Sequence, residues 1–85
     1  MDILGARAIV VMPDRDEVEV TVDVHDWPVD GDAFPHTWNA VVPRDLNLNV
    51  GEEITLFVRD ENTALGHTCV VVSNTHHRTC LCAHE

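Results

Sequence analysis

The stretch Glu17-Val18-Glu19-Val20-Thr21-Val22-Asp23-Val24 decides the fold. Valine stands at every second position, with Glu19, Thr21 and Asp23 between. A period of two built on β-branched residues marks a strand that buries one face and wets the other. Upstream, Ala8, Ile9, Val10, Val11 and Met12 form a short apolar run, and Pro13-Asp14-Arg15-Asp16 has turn chemistry. The two runs read as an antiparallel hairpin.

Further strands follow downstream. Asn49-Val50-Gly51-Glu52 reads as a turn. After it Ile54, Leu56 and Val58 face one way, and Thr55, Phe57 and Arg59 the other. Apolar bulk on both faces suggests a central strand. Trp38 to Val42 is a short strand stopped by Pro43, and Thr68 to Ser73 is another, with Cys69 and three valines inside it. Between them, Pro28, Gly31 and Pro35 rule out a helix across residues 25–36. Trp27 and Phe34 would hold that loop against the core. No window spaces its apolar residues as a helix does. The expected fold is all-β: a small antiparallel barrel or sandwich of five to six strands. It forms a single domain, 1–85, with a β core over 1–73 and a short Cys/His-rich C-terminal tail over 74–85.

The run Leu48-Asn49-Val50-Gly51-Glu52-Glu53-Ile54-Thr55-Leu56-Phe57-Val58 is similar to a strand of many β-sandwiches. With His67 downstream it bears a slight likeness to the cupredoxins. That family's copper site expects a late Cys followed closely by His and then Met. Here valines follow Cys69 and no Met comes after Met12, so the likeness is not adopted.

Size and charge narrow the function. A chain of 85 residues buries only roughly 60–65% of its unfolded surface, so a metal, a disulfide or a partner chain would help to stabilise it. The formal charge is −10, lysine is absent, and every basic side chain is an arginine. Such a surface repels phosphate and argues against direct nucleic-acid binding. It suits a high-GC genome or a halophilic cytoplasm. It also admits an acidic inhibitor that mimics nucleic acid. No signal peptide or membrane-length apolar run is read, so an intracellular setting, or a particle assembled inside a cell, is expected.

Chemistry-bearing residues concentrate at the end of the chain. His67, Cys69, His76, His77, Cys80, Cys82 and His84 include every cysteine and four of the six histidines. Thiolate and imidazole suit zinc. In an extended segment Cys80, Cys82 and His84 share one face. His76 or His77 would then supply a fourth ligand, with His67 in reserve and Cys69 assigned to the core. Cys-x-Cys spacing departs from the usual zinc knuckle of two to four intervening residues. The Asp14/Asp16 and Asp30/Asp32 pairs lack the Gly and the terminal Glu of a calcium loop. No catalytic residue is assigned, because no oxyanion hole or phosphate-binding turn accompanies the thiols.

The expectation for function is therefore a non-catalytic module that associates with a protein partner or with itself, for example as a structural subunit of an assembly such as a phage virion. Its interface would lie at an exposed strand edge and at Trp27 and Trp38, because tryptophan is enriched in interface hot spots. A zinc-binding module is the alternative.

Overall fold

The computed structural model describes residues 2–27, 37–59 and 66–84. Its six strands are β1 (Ile3–Val11), β2 (Glu17–His25), β3 (Thr37–Val42), β4 (Glu53–Val58), β5 (His67–Asn74) and β6 (Thr79–His84). All pairings are antiparallel, in the order β1-β2-β3-β6-β5-β4, and β4 returns to β1 to close a barrel. The run β4-β1-β2-β3 has the 4-1-2-3 order of a Greek key.

Alternation builds the wall. Val20, Val22 and Val24 point inward, as do Ala6, Ala8 and Val10 of β1 and Ile54, Leu56 and Val58 of β4. The register sets Trp38, Ala83, Cys69 and Ile54 in one inner row across four neighbouring strands. The small Ala83 beside Trp38 leaves room for the indole, which is fully buried. Closure makes no strand more central than another. The outer bulk expected of a central strand in β4 belongs to Phe57, whose ring lies over Gly66.

Two bulges and one tight turn bend the strands. Ile3 pairs with Val24 and Ala6 with Val22, so β1 carries one extra residue there. Gly5 sits at that bulge with φ +68°, a conformation that costs any side-chain-bearing residue, and its N–H donates to Asp23 Oδ1 at 2.8 Å. In β5, Val71 pairs with Leu81 and Ser73 with Cys80, leaving Val72 as the extra residue. The β1–β2 hairpin closes through Met12 N–H to the Asp16 carbonyl and Arg15 N–H to the Met12 carbonyl, with Arg15 at φ 73°.

The two barrel ends are closed differently. At one end the β3–β4 connection crosses the opening, and Leu46 and Leu48 are buried in it. At the other end Trp27, Trp38 and His67 pack together.

Two expectations change here. Thr79–His84, placed by sequence in a C-terminal tail, is a full strand between β3 and β5. Its inner residues Thr79, Leu81 and Ala83 are buried. The exposed strand edge expected for association is also missing: among the described residues every strand is paired on both sides, because the barrel closes on itself.

Candidate functional site

β6 sorts the Cys/His cluster. Cys80, Cys82 and His84 do share one face, and it is the outer one; the thiols are half-buried and His84 is exposed. His76 and His77 occupy the exposed β5–β6 turn, where Thr75 N–H donates to the Arg78 carbonyl at 2.9 Å. His67 and Cys69 also share a face, but it is the inner one. The barrel wall separates them from Cys80 and Cys82, so His67 is no reserve ligand for that pair. Cys69 fills core space, its thiol donating to the His67 carbonyl at 3.6 Å.

Strand geometry spreads the outer row. Residues two apart on a strand are separated by about 6.6 Å, so Cys80 and His84 lie about 13 Å apart along β6. Donors on one zinc ion lie about 2.0–2.3 Å from the metal. Among the described residues, no group of three or more His, Cys, Asp or Glu side chains is arranged to hold a metal ion.

The tryptophans lie at the barrel end. The Trp27 and Trp38 ring centroids are 4.8 Å apart, and His67 meets both edge-on at 5.2 and 5.3 Å. Trp38 is wholly enclosed, which removes it from any surface a partner could touch; Trp27 is half-buried against the core. Nearby, His25 Nδ1 lies 3.2 Å from Asp2 Oδ2, and Asp26 N–H donates to Asp2 Oδ1 at 3.3 Å. The His25 hydrogen bond, helped by that of Asp26, holds the Asp2 carboxyl below its ordinary range. Phe34, Asp30, Asp32 and His36 lie outside the described residues.

Opposite, an open pocket is lined by Met12, Pro13, Asp14, Leu46, Asn47, Leu48 and Glu52. Its two carboxylates serve the backbone: Asp14 Oδ1 accepts from Asp16 N–H, and Glu52 Oε2 accepts from Asn49 N–H. Among the described residues no helix is long and apolar enough to cross a membrane.

The feature that residue-by-residue reading missed is collective. β3, β5 and β6 contain no Asp, Glu, Lys or Arg. They are adjacent, in the order β3-β6-β5, and form one continuous uncharged wall on a chain of net charge −10. Its outer face presents Thr37, Asn39 and Val41, then Cys80, Cys82 and His84, then Thr68, Val70 and Val72. Val70 and Val72 are 37% and 48% exposed. Acidic strands flank it on both sides. Asp23 of β2 pairs with Val41, and Glu53 of β4 pairs with Val70. The signal lay in the sequence as three uncharged segments, but only the strand order makes them neighbours. No protein-family model, curated protein or solved structure matches this chain.

Proposed function

We propose that this protein is a non-catalytic association module whose contact surface is the outer wall of β3, β6 and β5. The observation that carries this reading is the segregation of charge: an uncharged wall with exposed valines, bordered by acidic strands. Interface centres are depleted of charged residues and their rims are polar. A subunit of a larger assembly would use such a surface.

The rim selects the partner. In a symmetric pair of identical chains the same patch meets itself. Asp23 and Glu53 flank the wall on opposite sides, and neither β2 nor β4 holds a lysine or an arginine. A second copy would therefore oppose acid to acid, and like charges facing across an interface are costly. A different protein with an apolar centre and an Arg/Lys rim is complementary.

The test is affinity capture from the source cell, comparing the parent with Val70→Glu/Val72→Glu. One protein captured at 1:1 stoichiometry by the parent, released by salt and lost with the wall variant, is the expected result. Capture that survives the wall variant, or no stoichiometric partner, would overturn the reading, as would a parent that sediments as a dimer.

A further inference from the structure

We infer that Cys80 and Cys82 form a two-sulfur site for a soft monovalent cation, with Cu(I) the natural occupant. The inference does not depend on the association reading. Both thiols leave the same face of β6, both are half-buried, and neither is in a disulfide. Two sulfurs about 2.3 Å from one ion are at most about 4.6 Å apart. Their Cα atoms are separated by about 6.6 Å along the strand, and rotation about the two χ1 bonds closes the difference.

The surroundings decide which ion fits. Cys82 pairs with Asn39 on one side and Val70 on the other; Cys80 pairs with Val41 and Ser73. Valine offers no donor. Asn39 and Ser73 offer only hard ones, an amide and a hydroxyl, which suit calcium or magnesium rather than a thiolate metal. Structural zinc needs four donors. On this wall one ion reaches only two neighbours of the row at a time, since Cys80 and His84 lie about 13 Å apart along β6. Soft thiolates select Cu(I), and a closed-shell monovalent ion accepts two-coordinate sulfur geometry. Binding breaks two S–H bonds and forms two S–Cu bonds. Two protons go to solvent, and the copper stays monovalent.

The experiment is an anaerobic titration of the reduced full chain against a colorimetric Cu(I) chelator. The parent should withdraw one Cu(I) per chain. Cys80→Ser and Cys82→Ser should each lose that equivalent, while His76→Ala/His77→Ala/His84→Ala keeps it. Parent protein alkylated at Cys80 and Cys82 should also lose it, which guards against a variant that fails to fold. A parent that takes no copper, a single serine variant that binds as the parent does, or loss in the histidine variant would overturn the assignment. So would stoichiometric zinc that depends on His76 or His77, because that restores a four-donor site.

Discussion

The Thr79 hydroxyl lies 2.6 Å from Asn74 Oδ1 and ties the two strands of the β5–β6 hairpin together. The same oxygen accepts from Leu46 N–H at 3.0 Å, and the Arg44 carbonyl lies 3.0 Å away as a second acceptor. Asn74 Nδ2 donates to Asp45 Oδ1 and to the Leu48 carbonyl, both at 2.9 Å. Thr79 is fully buried. Removing its hydroxyl strands a buried backbone N–H as well as an amide oxygen. Thr79→Val should cost about 1–3 kcal/mol, while Thr79→Ser keeps the hydrogen bonds and costs less. Chemical denaturation of both variants checks this; equal losses would show that packing, not the hydroxyl, matters there.

Gly66 makes a second constraint. A Cβ at this position would lie 2.7 Å from Thr55 Cγ2 and 2.8 Å from Phe57 Cζ. The Thr55 side chain is stiff at χ1, and the Phe57 ring must move as a body. Gly66→Ala should destabilise by about 1–3 kcal/mol through overpacking. A melting temperature unchanged from the parent would mean that the ring shifts freely.

The tryptophans should separate cleanly. Trp38→Ala empties a fully buried site at the barrel end and should cost about 3–5 kcal/mol. Trp27→Ala, at a half-buried site, should cost clearly less and leave the barrel folded. The sharper comparison is association: Trp27→Ala should leave partner binding intact, because Trp27 lies at the barrel end, outside the β3–β6–β5 wall. Loss of binding in a folded Trp27→Ala protein would move the interface to the barrel end.

Asp2 supplies a pH-dependent prediction. Its carboxyl is held below the ordinary aspartate range, chiefly by His25. A carboxyl depressed in the folded state contributes above its unfolded pKa, and the contribution is lost as pH falls through the folded value. His25→Ala should therefore raise the Asp2 titration midpoint, read by carboxyl NMR shifts. The group is exposed, so the effect on stability should be small. A midpoint that does not move would assign the depression to the Asp26 N–H.

The fold was legible where alternation was clean. The valines of β2 and the Ile54, Leu56 and Val58 face of β4 point inward, as their period of two requires. β6 was not legible as a strand, because Thr79, Cys80, Cys82 and His84 interrupt the apolar pattern. Yet Thr79, Leu81 and Ala83 do alternate with Cys80 and Cys82, and Cys80, Cys82 and His84 share a face as extended geometry demands. The placement of His67 was hidden for a related reason. Sharing a face with Cys69 said nothing about whether that face was inner or outer, and the Trp27 and Trp38 rings occupy the inner side. A barrel or a sandwich was expected, and the choice of the barrel was not legible, because the β1–β4 pairing that closes it joins residues some fifty positions apart through no local signal.

The wall carries its own probe, since Cys80 and Cys82 lie at its centre and Cys69 lies in the core. The most direct measurement is the rate of alkylation of each cysteine, read by peptide mass spectrometry, with and without the captured partner. Association through β3, β6 and β5 predicts that Cys80 and Cys82 react in the free protein and are protected in the complex, while Cys69 stays unreactive in both. Cys80 and Cys82 reacting equally fast in the complex would contradict the account.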